Sequence, residues 1–437
     1  MMTLDRETIG IIGIVVMLIL LALRMPIGIA MLLVGITGFA WLNGLPAALS
    51  SLGNAPYSYS TVYDLAVIPL FVLMGNCAAV SGMSRDLYAA AYAWLGHLRG
   101  GLASATIAAC AGFAAVSGSS IASAVTMGRV CLPEMKRYKY SDALATGTVA
   151  AGGTLGILIP PSTAFVIYAI LTEQSIGRLL LAGFLPGLLL SLLFILTIMI
   201  WTRFKPEIGP PGERASREER VRTLIQSGPM MAIVAISIGG IYVGAFTPSE
   251  AAAVGAILSF ALALWRRTIT WDSLSTILIE TVKTTAFVFL ILIGAFVFGP
   301  FLALSGLPEA LATGLIALEM PRYLILFVLI LIYIVLGMFL EGFSILVLTL
   351  AIVIPIVDAL GFDLIWFGVI MVIVLEMGLI SPPVGINVFV VKGLVPDVPI
   401  SEIFKGIMPF WLAMGVCIIL LILFPQIALY IPNTMIR

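Results

Sequence analysis

The phrase Gly156-Ile157-Leu158-Ile159-Pro160-Pro161 returns as Gly378-Leu379-Ile380-Ser381-Pro382-Pro383, 222 positions later (378 − 156). Both copies lie inside long apolar stretches. Proline has no N–H to give a helix and clashes with the turn before it, so a glycine followed by paired prolines interrupts the helix that contains it. In lipid, an interruption leaves backbone groups without partners unless protein or a cavity receives them. Placing the same break in both halves of one chain implies that the break is used.

The chain is 61% hydrophobic and 10% charged, with a mean hydropathy of +1.18. Its apolar runs are long enough to span a bilayer, which makes it a polytopic membrane protein of the all-α class. The cysteines Cys77, Cys110, Cys131 and Cys417 are scattered without CxxC spacing and read as free thiols. The single histidine, His97, argues against a histidine-based metal site or proton relay. Ile9–Leu23 lacks a basic leader and a small-residue cleavage site, and Arg24-Met25-Pro26 follows it directly, so it reads as a true span.

The halves share more than the proline phrase. Pro26 matches Pro248 at an offset of 222; Ser81-Gly82 matches Ser305-Gly306 at 224, and Gly118 and Ser120 match Gly342 and Ser344, also at 224. Four matches in one order at nearly one offset indicate an internal repeat. Between them, 203–228 holds six Lys/Arg and four Glu and reads as a solvated interhelical linker, with an amphipathic helix on the membrane surface as an option. This divides the chain into a first repeat, 1–202, and a second, 229–437.

Charge placement orients the halves. Eighteen of the 22 Lys/Arg fall in alternate gaps between apolar runs, including the linker; Arg6, Arg178, Arg322 and Arg437 are left for the other side. The opposite loops are poor in basic residues: 43–64 has none. The positive-inside rule then puts the linker in the cytoplasm and both termini outside. Arg99 and Arg129 fall on the same side, yet about 28 residues between them are too few for two crossings of roughly 20 each. The stretch 100–128 therefore reads as a re-entrant hairpin with its tip at Ser117-Gly118-Ser119-Ser120, and 323–357, with Glu341-Gly342 near its tip, as its mirror. Each half would hold about five spans, one of them broken (141–171 and 364–395), plus one hairpin. Five is odd, so the second half inserts upside down. Inverted repeats of this kind, with interrupted helices in corresponding places, point to a secondary transporter whose site lies at the repeat interface.

The chemistry available is that of small oxygen ligands. Ser117, Ser119, Ser120 and Ser123 place four hydroxyls within seven residues at the first tip. Such residues also let helices approach closely. Read functionally, the tip binds an anion through exposed amides or supplies oxygens to a cation. At the first break, beside Thr154 and Ser162, Pro160 and Pro161 free the carbonyls of Gly156 and Ile159 for a hard cation; Gly378 and Ser381 repeat the arrangement, with a hydroxyl added. Glu341 and Glu376 lie in apolar surroundings, where ionisable groups are expensive; a paired carboxylate, a headgroup contact and a functional acid all stay open. Glu250 in Thr247-Pro248-Ser249-Glu250 reads as an acid in a first helical turn, and Tyr57-Ser58-Tyr59-Ser60-Thr61-Val62-Tyr63 as an interfacial aromatic loop.

Ala115-Val116-Ser117-Gly118-Ser119-Ser120, Gly153-Thr154-Leu155-Gly156 through Pro161-Ser162, Thr247-Pro248-Ser249-Glu250-Ala251 and Gly378-Leu379-Ile380-Ser381-Pro382-Pro383-Val384-Gly385 together resemble the large membrane subunit of a TRAP (tripartite ATP-independent periplasmic) transporter, the DctM family. The resemblance runs along essentially the whole chain; Ser381 stands where relatives often carry threonine. It implies an importer of organic acids such as dicarboxylates, keto acids or sialic acids, driven by sodium. It also implies an elevator motion of a core containing both hairpins, in a bacterial or archaeal cytoplasmic membrane. Its partners would be a small four-helix membrane subunit and a soluble periplasmic binding protein, with no nucleic acid involved. Because the first span begins almost at Met1, the small subunit is expected to be a separate polypeptide. Carried over by motif, one sodium falls to Ser119, Ser120, Gly156, Ile159 and Pro161, and a second to Gly342, Gly378, Ser381 and Pro383. Ser117, Gly118, Ser123, Thr154, Ser162, Glu341 and Asn387 are the candidates for substrate contact.

The alternative within transport is a stand-alone sodium–dicarboxylate symporter of related hairpin architecture. An intramembrane enzyme would need a nucleophile–base pair or a metal cluster, and the chain has one histidine and no paired acids at ligand spacing.

Overall fold

The computed structural model describes residues 5–317 and 319–435; the chain ends, with Arg437, lie outside the described residues. Every regular element among the described residues is helical. The first half comprises α1 (Arg6–Ala22), α2 (Ile27–Asn43), α3 (Leu45–Ser60), α4 (Val67–Val80), α5 (Met83–Leu95), α6 (Gly101–Ser117), α7 (Ser120–Arg137), α8 (Asp142–Leu158), α9 (Thr163–Leu171), α10 (Ile176–Ala182) and α11 (Phe184–Phe204). The second comprises α12 (Arg217–Tyr242), α13 (Pro248–Trp265), α14 (Trp271–Ser305), α15 (Leu307–Ala317), α16 (Arg322–Gly337), α17 (Gly342–Ala359), α18 (Leu364–Leu379), α19 (Ile386–Leu394), α20 (Ile400–Leu423) and α21 (Gln426–Thr434).

Among the described residues, seven helical stretches are long and apolar enough to cross a bilayer: Tyr63–Val80, Ile176–Phe204, Arg217–Tyr242, Pro248–Trp265, Trp271–Ser305, Gly342–Ala359 and Ile400–Leu423. The pair α8 and α9, bent by 42° at the first proline break, makes an eighth. The apolar helices α2, α6, α16 and α18 are 16 or 17 residues long, shorter than a full crossing at about 20 residues. The protein is a multi-pass membrane protein, with fewer full-length spans than the ten read from the sequence.

Three further expectations need correction. The stretch 45–60, read as part of a loop with its aromatic residues, is the helix α3, with a 3-10 turn at Tyr63–Ala66 after it. It stays helical through Gly53 and Pro56, both of which favour a break. The charged linker is non-helical only over 205–216 apart from a turn at Pro206–Ile208, because Ser216 caps the Glu219 amide and starts α12 there. The second arm of the first hairpin continues past residue 128 to Arg137, so Arg129, Lys136 and Arg137 are helical. Glu250 does sit in a first turn: it closes a capping box with Thr247.

Element starts recur along the chain. α2 and α13, α6 and α16, α7 and α17, α8 and α18, and α9 and α19 begin 221 to 223 positions apart. Packing recurs with them. Each hairpin lies on the broken helix of its own half: α6 and α7 on α8, α16 and α17 on α18. Each also reaches across, α7 against α19 and α17 against α9. The extensive α2–α14 and α4–α13 contacts join the halves elsewhere. The recurrence is incomplete, most visibly in the middle of each half. Where the first half has α3, a turn and α4, the second has the unbroken 35-residue α14.

Candidate ion and substrate site between two hairpin tips

The first hairpin turns on Gly118, whose φ of +62° is the left-handed backbone that glycine adopts without strain. Ser119 then caps α7 by accepting the Ala122 amide at 3.3 Å. Ser117 and Ser123, from opposite sides of the turn, hydrogen-bond to each other at 2.6 Å. The tip meets the first break through backbone. A Cβ on Gly156 would lie 2.5 Å from the Ser119 carbonyl oxygen and 2.6 Å from Ser123 Oγ. A Cβ on Gly118 would lie 3.1 Å from the Pro161 carbonyl oxygen, and Thr163 Oγ1 donates to the Gly118 carbonyl at 3.1 Å. Pro160 stands four residues after Gly156 and has no N–H for its carbonyl; Ile159 is extended (ψ 126°), so its carbonyl leaves the helix direction. The Pro160–Pro161 bond is cis, and both prolines are buried.

The second tip is built on the same plan with different chemistry. Glu341 caps α17, its carboxylate accepting the Ser344 amide and hydroxyl at 3.3 Å each. By helix start, Glu341 therefore stands where the first half has Ser119 (341 − 119 = 222), and Gly342 where it has Ser120. The offset of 224 that paired Gly118 with Gly342 in the sequence is off by two here. Gly378 faces Gly337 of α16, and a Cβ on it would lie 2.6 Å from the Gly337 Cα. The Gly378 carbonyl, unlike that of Gly156, has a donor: the Ser381 amide at 2.9 Å. Ser381 is buried, donates to the Met377 carbonyl at 2.6 Å and accepts from Trp411 Nε1 at 2.9 Å. Its hydroxyl is thus partly committed to its own surroundings. Pro382–Pro383 is also cis, but both prolines are exposed.

The two tips open on one cavity of about 50 Å³. Ser119, Ser120, Glu341 and Gly342 line it, with Ile157 from the first break and Glu376 from α18. The remaining candidates are not part of this lining. Thr154 donates to Ala151 within its own helix at 2.6 Å, and Ser162 caps α9 by accepting the Phe165 amide at 3.3 Å. Asn387, on α19, is fully buried, and neither amide atom has a hydrogen-bond partner within the protein. Sequence reasoning missed Gly337 and Trp411, and gave Thr163 no role although it closes the stretch that holds the first break. Thr163 stands two residues after the proline phrase and was within reach; nothing near Gly337 or Trp411 in the sequence connects either to a break.

The donors gathered here are hydroxyl, carbonyl and carboxylate oxygens, the set that suits a hard cation. Among the described residues no three of His, Cys, Asp and Glu come together, so the donors of a transition-metal site are lacking. The Gly156–Ser119 approach leaves no space for a side chain between break and tip, which fits a small ion held by backbone and hydroxyl oxygens.

The sequence profile of the tripartite ATP-independent periplasmic transporter, DctM component, matches residues 14–427. The chain belongs to this DctM family. It is 37% identical to the C4-dicarboxylate TRAP transporter large permease protein DctM of Pseudomonas aeruginosa, over 89% of this chain and 90% of that one. It is 32% identical to the sialic acid TRAP transporter large permease protein SiaM of Vibrio cholerae, over 95% and 96%. It is 30% identical to the ectoine/5-hydroxyectoine large permease protein UehC of Ruegeria pomeroyi, also over 95% and 96%. In fold it is similar to the YdaH transporter of Alcanivorax borkumensis, with a TM-score of 0.59 at 14% identity over 90% of this chain and 88% of that one. A DctM-family chain is a permease subunit and not an enzyme.

Proposed function

We propose that this DctM-family chain is the large subunit of a sodium-coupled importer for an organic acid anion. A periplasmic binding protein delivers the substrate, and a small four-helix membrane subunit completes the permease. The observation that carries the reading is the convergence of both hairpin tips, each seated on a proline-broken helix, upon one small, largely apolar cavity whose polar groups are serine hydroxyls and carboxylates. One sodium would be held by Ser119, Ser120 and the carbonyls of Gly156, Ile159 and Pro161. A second would be held by Gly342, Gly378, Ser381 and Pro383. Sodium supplies positive charge beside the tips, where the anion's charge needs an offset in a low-dielectric interior. The chain's own residues do the rest: Gly118 turns the tip, Thr163 ties it to the break, and Ser117, Ser123 and Asn387 are the polar groups left for the substrate.

The inverted arrangement has its support in the recurrence of helix starts and in the reciprocal packing of each hairpin on the other half's post-break helix. An internal pseudo-two-fold produces both. On this reading 100–171 and 323–395 form a core that travels past the remaining spans, with the linker in the cytoplasm and the termini in the periplasm.

The test is uptake into proteoliposomes holding this chain and its small subunit, with the soluble binding protein outside and a panel of radiolabelled C4-dicarboxylates, keto acids and sialic acid. An inward sodium gradient should drive uptake, and replacing sodium by potassium should abolish it. Uptake indifferent to sodium would sink the coupling. Full uptake by this chain alone, with neither partner, would favour the stand-alone symporter.

A further inference from the structure

Arg129 and Lys136 lie two turns apart on one face of α7, and both are exposed. Among the described residues, neither takes part in an ion pair or a side-chain hydrogen bond. Both line a second cavity, of about 390 Å³, walled by α7, the start of α8 and residues 394–398 at the end of α19. Asp142 and Asp397 line it as well, but each is offset by its surroundings. Asp142 sits in the first turn of α8, where free amides carry positive charge. Lys392 donates to the carbonyls of Pro396 and Val398 at 2.6 Å each, which brackets Asp397 with a cation. The charge left over is positive.

The same two helices lead to this cavity from the one between the hairpin tips. Ser120 and Ile121 of α7 line the tip cavity with Ile386 of α19. Arg129 of α7 and Leu394 of α19 line the second. Nine residues of α7 at 1.5 Å each separate the two by about 14 Å. The helices touch on the way: a Cβ on Gly128 would lie 2.5 Å from Leu394 Cδ1. A water needs on the order of 10–15 Å³ of such volume. The tip cavity, at about 50 Å³, has room for a few waters; the second has room for a multi-carbon acid. We propose that the Arg129–Lys136 cavity is a separate anion site, the cytoplasmic landing point for the carboxylates of an organic acid that has left the tips. Exposed cations on long side chains hold an anion weakly, which is what release requires.

Its role as a landing point rests on the proposed import of an organic acid, but its occupancy is measured without transport. The full chain, purified with its small subunit and with its four native cysteines replaced, carries Val395→Cys in the cavity wall. Alkylation by a maleimide is followed in choline succinate against choline chloride of equal ionic strength. Succinate at millimolar concentration should slow the reaction, and succinamide, its uncharged analogue, should not. Arg129→Gln with Lys136→Gln should need roughly tenfold more succinate for the same protection, each exposed charge contributing a few-fold. Should Val395→Cys label too slowly to follow, Pro396→Cys, exposed on the same wall, takes its place. Labelling that succinate does not slow, or slows equally in the double variant, overturns the inference and leaves the proposed function to its own uptake assay. Slowing by mixed micelles containing phosphatidylglycerol, with none by succinate, gives the cavity to a lipid headgroup and overturns it too. Protection by succinate in a protein without sodium-driven uptake keeps the site and sinks the import reading.

Discussion

Replacing Asn387 by leucine should make the protein more stable and less active. The side chain is fully buried on α19, and both Nδ2 and Oδ1 lack a partner within the protein. A buried polar group left unpaired costs about 1–3 kcal/mol. Leucine keeps the branched skeleton but is the bulkier side chain, so overpacking takes back part of the gain. Two orphaned atoms, offset by that overpacking, give a net gain of about 2 kcal/mol. Membrane proteins of this size often unfold irreversibly, which makes the half-life at a fixed temperature the sound measurement. If the gain falls on the unfolding barrier, 2 kcal/mol lengthens that half-life about thirtyfold. The assay is loss of monodisperse protein in detergent at constant temperature, beside uptake in proteoliposomes. A stabilised variant with impaired uptake is the signature of a polar group retained for a ligand. A leucine variant that unfolds faster would refute the reasoning, because the amide would then be paired in the native state. Unchanged uptake would remove Asn387 from the substrate contacts.

Gly156→Ala would place a Cβ 2.5 Å from the Ser119 carbonyl oxygen, forcing tip and break apart at a cost of about 1–3 kcal/mol and collapsing sodium-driven uptake, whereas Gly393→Ala, with nothing within 4 Å, should leave uptake near wild type; equal activity of the two would refute the contact. Ser381→Ala should raise the sodium needed for half-maximal uptake by about 1 kcal/mol in free-energy terms, and Trp411→Phe, which keeps the hydroxyl, should not; an unchanged sodium dependence in Ser381→Ala takes the residue off the ion site. Single cysteines at positions 215 and 435, in a background lacking the four native ones, should label from opposite faces of the membrane, and labelling from one face would end the inverted arrangement. A cross-link between cysteines at Leu87 of α5 and Gly112 of α6, whose Cβ would lie 3.2 Å from the leucine side chain, should arrest transport without abolishing docking of the soluble partner; full uptake with the link in place rules out movement of the hairpin against α5.

Much of the fold was legible because its signals are local. The broken helices appear as α8–α9 and α18–α19 because glycine and paired proline act within one turn, and Thr247 with Glu250 forms its capping box for the same reason. The tips were legible as well, since a glycine amid serines has few other uses in an apolar run. Pairing the halves residue by residue was harder. Ser119 and Glu341 do the same capping work with unlike side chains, so matching letters put the register two residues off at the second tip. The helix α3 hid because an aromatic, serine-rich stretch reads as a surface loop, and α12 because its charged first turns read as linker. The engagement of Ser381 by Trp411 spans 30 positions and two helices, a distance over which the sequence has no periodicity to exploit.

The unbroken α14 gives the two halves unequal mechanics. Its 35 residues make a rod about 52 Å long at 1.5 Å per residue, against a hydrocarbon layer about 30 Å thick. The last 22 residues, Thr284–Ser305, carry no charge, while the turns before them hold Asp272, Glu280 and Lys283. That leaves roughly 20 Å of stiff, wettable helix standing in the headgroups or beyond. The corresponding stretch of the first half breaks between Ser60 and Tyr63 and has no such overhang. Hydrophobic mismatch on this side is therefore met by tilting the helix or bending it near its own Pro300, and on the other by bending at a joint. Gly28 and Gly35 of α2 bring the backbones of rod and neighbour together near Leu290 and Phe298, so tilt imposed by a thicker or thinner bilayer passes directly into the first half. Lipid thickness thereby becomes a mechanical input to a molecule whose two hairpin tips meet at one cavity.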